Sequence, residues 1–195
     1  MPNPIKSARF LPLGAALAII LTACGGSPSS PRIDDTSTER GAPLRNSPTR
    51  LQSLDVAGVG TQLKKFGPYL IEISGAPKCG IDFYHLEYNT VGAAGEPTTA
   101  STALLVPTGT DPACGGKRPV LVYGHGSSMQ RKLNMANITD DANEGAGRIS
   151  SPTAMYAAQG YIVIAPNYAG YDTSRLGYHP HHIACLLYTS PSPRD

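Results

Sequence analysis

Pro119-Val120-Leu121-Val122-Tyr123 runs directly into Gly124-His125-Gly126, and Tyr161-Ile162-Val163-Ile164-Ala165 later closes on Pro166 in the same manner. Both are short, continuous apolar runs rich in β-branched residues. Such runs suit strands buried on both faces, as in parallel sheets. Between them, Ser151-Pro152-Thr153-Ala154-Met155-Tyr156-Ala157-Ala158-Gln159 reads as a helix, with Ser151 as N-cap, Pro152 at the first helical position and Gly160 as the stop. Strand, helix, strand in that order predicts a right-handed βαβ unit.

Upstream the pattern differs. Ile81-Asp82-Phe83-Tyr84-His85-Leu86-Glu87-Tyr88 is an aromatic-rich strand, and Thr98 to Val106 is a second one ending at Pro107. Gly92, Gly95 and Pro97 lie in the connection, which predicts an antiparallel, partly exposed hairpin. Leu51 to Leu70 carries scattered apolar residues, with a short helix around Thr61–Phe66 that Gly67-Pro68 would end. The chain thus passes from an antiparallel pair into a parallel sheet. That α/β order resembles the beginning of an α/β-hydrolase sheet.

The N-terminus has the layout of an export signal over residues 1–23. Lys6 and Arg9 supply the charge, and Leu11 to Leu21 the apolar segment. The apolar run is short of the roughly 20 residues that span a bilayer. Leu21-Thr22-Ala23-Cys24 resembles a bacterial lipobox, in which a small residue precedes the scissile bond and a thiol takes the lipid. Cys24 is therefore the expected lipidation site and membrane anchor. Gly25 behind it fits outer-membrane sorting if the source is Gram-negative. Residues 24–50 are rich in Ser, Pro, Thr and Gly without an apolar period, and read as a disordered tether. The domain proper is expected over 51–184.

Sixteen Lys and Arg against fourteen Asp and Glu give +2, with no basic cluster that would bind nucleic acid. Of the four cysteines, Cys79 and Cys114 bracket the hairpin. An exported protein matures in an oxidising space, so a bond between them is expected, closing a loop worth roughly 3–4 kcal/mol; the alternative is two free thiols. No CxxC pair marks a metal site.

A His-Gly pair directly behind a buried strand resembles the oxyanion-hole loop of lipases and esterases. Acyl transfer places negative charge on the former carbonyl oxygen, and a backbone N–H aimed there stabilises it; removing one donor can cost about 3 kcal/mol. The expected donor is the N–H of Ser127, with Gly126 permitting the turn and His125 orienting the loop rather than serving as base. The alternative is a glycine-rich turn without function. Ala165-Pro166-Asn167-Tyr168-Ala169-Gly170-Tyr171-Asp172-Thr173-Ser174 resembles the Pro-Asp-x-x-Gly-x-Gly-x-Ser loop of α/β-hydrolases, with Asn167 in place of Asp and Asp172 in place of the second Gly. With Gly75 to Gly80, Asn134 to Asn137 and Tyr178-His179-Pro180, these tracts make residues 70–184 similar to bacterial secreted hydrolases akin to the secretory lipase family. The resemblance implies a Ser-His-Asp triad acting on small-molecule ester or lipid substrates, without a cofactor.

The nucleophile, acid and base are absent from the chain as read. No Gly-x-Ser-x-Gly occurs, and neither Ser128 nor Ser174 sits in a strand-to-helix elbow. In this fold those residues come later than residue 184. Cys185 to Asp195 instead resembles a translated sequencing adaptor, so 185–195 is expected to be foreign to the gene and the chain to be an inactive fragment of an exported serine hydrolase. Two readings compete: a non-catalytic envelope lipoprotein with a hydrolase-like binding fold, and a metal-binding protein built on His179, His181 and His182, which lacks accompanying carboxylates.

Overall fold

A computed structural model describes residues 39–180. The expected export signal, Cys24, the tether up to residue 38, His181, His182 and the tract 185–195 lie outside the described residues.

The hairpin is longer than expected. β2 (Gly80–Val91) and β3 (Pro97–Thr108) pair antiparallel in unbroken register from Gly80↔Thr108 to Val91↔Pro97. The tight turn is held by Gly92 N donating to Glu96 O at 2.7 Å. Alternation places Ile81, Phe83, Ala103 and Leu105 on one face, all fully buried. β1 (Thr49–Leu54) adds antiparallel to the free side of β2. Its sequence, TRLQSL, is short and largely exposed, and carries no apolar alternation. The chain before it is also tied down: Gly41 N donates to Asn89 O at 2.8 Å and Leu44 N to Glu87 O at 2.9 Å. The described end of the expected tether is therefore paired along β2. Its backbone found partners that its side chains do not advertise.

α1 spans Val56–Phe66, a full turn and more longer than the expected 61–66. Asp55 caps it, accepting from Gly58 N at 2.7 Å, and Val59 and Leu63 bury one stripe. Gly58 and Gly60 weaken its early turns as a helix signal. A short α2 follows (Tyr69–Ser74). Cys79 and Cys114 are disulfide-bonded, with a Cα separation of 5.6 Å.

β4 (Val120–Val122) and β5 (Ile162–Pro166) form the parallel pair, Leu121 opposite Val163. β5 also pairs antiparallel with β3, so the sheet order is β1-β2-β3-β5-β4. The antiparallel-to-parallel α/β sheet is the architecture expected. The burial of β4 on both faces is not: Val120 and Val122 are each 58% exposed, because among the described residues β4 lies at the sheet edge with one face open.

The connecting helix also differs. α3 runs Glu144–Met155, capped by Asn143 rather than Ser151, with Pro152 inside it. Pro152 cannot donate to the carbonyl of Arg148. The helix continues through it because Ala146, Ile149, Pro152 and Thr153 bury a common face against the core. It ends soon after, and a 3-10 turn (Ala157–Gln159) closes on Gly160 at φ 104°, the expected stop. The apolar faces of α1 and α3 meet Phe83, Leu105 and Val163 in a single core on one side of the sheet.

Candidate active site

The two parallel strands deliver their carboxyl ends side by side. Tyr123 N still donates to Ile164 O at 2.8 Å; the chain after β4 then leaves the sheet, while β5 stays paired with β3 through Pro166. Ligand sites in open α/β sheets lie at this edge. The loop after β4 holds His125, Gly126, Ser127 and Ser128. The loop after β5 holds Asn167 to Ser174.

His125 is buried, with its ring centroid 4.6 Å from Tyr168 and 5.5 Å from Tyr171. Its Nδ1 is 2.7 Å from Gly126 O and its Nε2 3.4 Å from Asn167 O. Burial pushes its pKa below the ordinary histidine value. A neutral ring carries one N–H, and the shorter contact assigns it to Nδ1, donating to Gly126 O. His125 thus braces the turn. The backbone conformation at position 126 does not itself demand glycine. Gly126 lies outside the left-handed region, and a Cβ there would meet Arg148 Nη1 at an ordinary 3.6 Å. A Cβ at Gly124 would lie 2.8 Å from Tyr168 Oη.

The loop's carbonyls are held from α3. Arg148 Nη1 donates to Gly126 O at 3.0 Å and Nη2 to Ser127 O at 2.9 Å. Arg148 Nε donates to Glu144 Oε1 at 2.9 Å, and Nη2 is paired with the same oxygen. Glu144 Oε2 accepts from Ser128 Oγ. The Ser128 hydroxyl and then Arg148 hold the Glu144 carboxyl below its usual range. Ser128 N donates to Tyr171 Oη at 3.1 Å, and Tyr171 Oη donates back to Ser128 O at 2.7 Å. Ser127 is exposed, and among the described residues nothing accepts from its N–H.

Beneath the second loop lies a buried polar network. Asn167, fully buried, accepts from Met135 N at 2.8 Å and donates through Nδ2 to Ser101 Oγ at 2.9 Å. Ser101 Oγ donates to Asp172 Oδ2 at 2.6 Å, which also lies 2.6 Å from His85 Nε2. Asn134 Nδ2 donates to Asp172 Oδ1 at 3.1 Å. Burial works to raise the Asp172 pKa, but the hydrogen bonds from His85 and Ser101 outweigh it and leave the carboxyl below its ordinary value. Asp172 stands at φ 50°. A glycine is at ease in that left-handed conformation, and Asp tolerates it.

The structure brings His125, Gly126 and Ser127 to the sheet edge as one loop. Ser174 is a brace, its Oγ donating to Thr99 O at 2.6 Å and accepting from Gly170 N at 2.9 Å. Among the described residues no group of His, Cys, Asp and Glu is placed to hold a metal. Sequence reasoning missed Arg148, Glu144, His85 and Ser101. The spacing of Glu144 and Arg148, one helical turn apart, becomes a signal once the helix is started at Asn143.

No family model and no curated protein matches the chain. Solved structures do. The rice cell wall degrading esterase LipA from Xanthomonas oryzae superposes with a TM-score of 0.55 at 32% identity, over 72% of this chain and 32% of that one. Its ligand-bound form gives 0.56 at 31%, over 73% and 33%. This chain carries part of the α/β-hydrolase fold. A Legionella pneumophila protein assigned as a hydrolase matches in fold, with a TM-score of 0.53 at 22% identity over 69% and 33%. The chain spans about a third of the length of these structures.

Proposed function

We propose that this chain supplies the oxyanion-binding part of an exported, serine-dependent carboxylic-ester hydrolase. The observation that carries the reading is the N–H of Ser127. Ser127 is exposed at the carboxyl edge of the parallel strands, and among the described residues its N–H has no acceptor, while the carbonyls of Gly126, Ser127 and Ser128 are committed. A preorganised donor at that edge meets the need of acyl transfer, where charge develops on the substrate oxygen. The LipA esterase similarity supports an ester substrate. The nucleophile, acid and base belong to a part of the enzyme that this chain does not contain. The hydroxyls of Ser101, Ser128 and Ser174 are engaged with Asp172, Glu144 and a backbone carbonyl. Cys24 carries the lipid that holds the enzyme to the cell envelope.

The test is Ser127→Pro, which deletes the N–H, beside Ser127→Ala, which keeps it, in the full-length enzyme bearing this sequence. Hydrolysis of short-chain p-nitrophenyl esters is expected to fall about 10²–10³-fold in kcat for Pro and little for Ala. A folded Pro variant with undiminished turnover would refute the reading. The 195-residue chain alone is expected to be inactive.

A further inference from the structure

We infer that Arg148 is the positioning residue for the Ser127 amide, reaching from α3 to aim it without touching substrate. In a trans peptide the carbonyl of one residue and the N–H of the next point in opposite directions within one rigid plane. Whatever fixes Gly126 O therefore fixes the direction of Ser127 N–H. Two donors do so from one side: Arg148 Nη1 at 3.0 Å and His125 Nδ1 at 2.7 Å. The amide points away from both.

The second arm of the guanidinium holds the next peptide. Arg148 Nη2 on Ser127 O at 2.9 Å sets the plane in which Ser128 N–H reaches Tyr171 Oη at 3.1 Å. Of two successive amides in the clamp, one is thus consumed internally and the other is left presented. The planar fork holds two carbonyls and the Glu144 carboxylate at once in a fixed geometry, which the rotatable donors of a lysine on its flexible stem do not pre-organise. Glu144 keeps the fork in place through Nε, and Ser128 Oγ occupies its other oxygen. Pairing with Glu144 offsets the charge of Arg148 locally, so its contribution is direction rather than a bare positive field. Two hydrogen bonds onto Gly126 O also polarise that peptide and strengthen its N–H as a donor.

The catalytic consequence rests on the esterase reading; the geometric claim does not. Hydrogen exchange on the 195-residue chain tests the geometry. Arg148→Met and Arg148→Lys should both accelerate amide exchange at least about tenfold at Ser128 and Gln130, whose N–H groups are bonded within the clamped loop, and leave residues 81–88 unchanged. Unchanged exchange at Ser128 and Gln130 would overturn the inference whatever the enzyme does. Kinetics in the full-length enzyme test the consequence. Both variants should lower kcat about 10–100-fold with little change in KM, since the lost interaction is made in the transition state. On a Ser127→Pro background Arg148→Met should cost nothing further, because the amide it aims is gone. If Ser127→Pro abolishes turnover while Arg148→Met leaves kcat intact, or if the two losses simply multiply, Arg148 does not act through Ser127. If Ser127→Pro itself is silent, the esterase reading has failed instead.

Discussion

His125 and Asp172 give the molecule two acid-sensitive joints of different character. His125 is buried and neutral, and its pKa is lowered by that burial. In the unfolded chain it takes a proton near its usual pKa of about 6.5. Above that pH neither state is charged and the contribution to stability is constant. As pH falls below it, the unfolded state binds the proton first, so stability drops by up to about 1.4 kcal/mol per pH unit until the folded pKa is reached. The urea midpoint should therefore be flat from pH 8 to 7 and decline below about 6.5, and His125→Asn should flatten that decline. A decline that persists unaltered in the variant would show that another group carries it. Asp172 has the opposite chemistry and the same sign. Its carboxyl is held down in the fold, so its contribution is complete above the unfolded value near 3.9 and is lost as pH falls through the folded pKa. That lower leg is shared with Asp82 and Glu144, whose pKa values are also depressed.

The same network explains why this chain departs from the hydrolase loop pattern at two places together. The hydroxyl proton of Ser101 goes to Asp172, so its lone pairs face Asn167, and an amide N–H is what position 167 must supply. A carboxylate there would confront Ser101 Oγ with no proton between them and add a second buried acid. Asn167→Asp should destabilise by about 2–4 kcal/mol. Replacing Asp172 with Gly in the same chain frees the Ser101 proton for the new acid and relieves the left-handed backbone, so the double variant should recover most of the loss. Additive losses in a double-mutant cycle would mean that the two departures are unrelated.

Among the elements, α3 does most to build the site, and it is where sequence reading went furthest astray. Ser151-Pro152 obeys the local rule for a helix start, yet the helix begins at Asn143, because tertiary burial of Ala146, Ile149 and Thr153 overrides one missing N–H. With the start misplaced, Arg148 and Glu144 fall in a loop and their relation to Gly126 is invisible. The parallel strands and the hairpin were legible because β-branched runs and glycine-bounded alternation are properties of the segments themselves. β1 was not, since it is polar and gains its partners only from β2. Asn143 shows how much depends on the true start. Its Oδ1 accepts from Gly145 N at 3.1 Å and Asn134 N at 3.0 Å, while its Nδ2 donates to the carbonyls of Asn134 and Asn137 at 2.7 and 2.5 Å. Asn143→Ala should cost about 3 kcal/mol, a cap plus buried groups left unpaired. Asn143→Asp, an equally good cap by propensity, should be nearly as damaging because it cannot donate to those carbonyls. Denaturant melts that find Asp close to wild type would reduce the residue to a cap.

For the molecule as a whole, the decisive feature is that among the described residues the helices of the core stand on one side of the sheet. Register places Val120, Val122, Ile162 and Ile164 on the opposite face from Leu121 and Val163. Leu104, opposite Ile164 on β3, joins that face. The covered face is closed, with Val163 and Leu105 fully buried; on the other, Val120 and Val122 are each 58% exposed. Among the described residues β4 also has an unpaired edge. An apolar β-branched face beside a free edge is a template for pairing with another chain. The 195-residue chain is therefore expected to self-associate as its concentration rises. Val120→Lys with Val122→Lys should suppress this. Both positions face solvent, so the change removes apolar contact between molecules without opening the core, and charge on an edge strand opposes further pairing. Sedimentation velocity should show the unmodified chain in oligomers and the double variant as a monomer with an unchanged circular dichroism spectrum. Oligomers of equal size in both would move the self-association to another surface, and a monomeric unmodified chain would mean that the open face is covered.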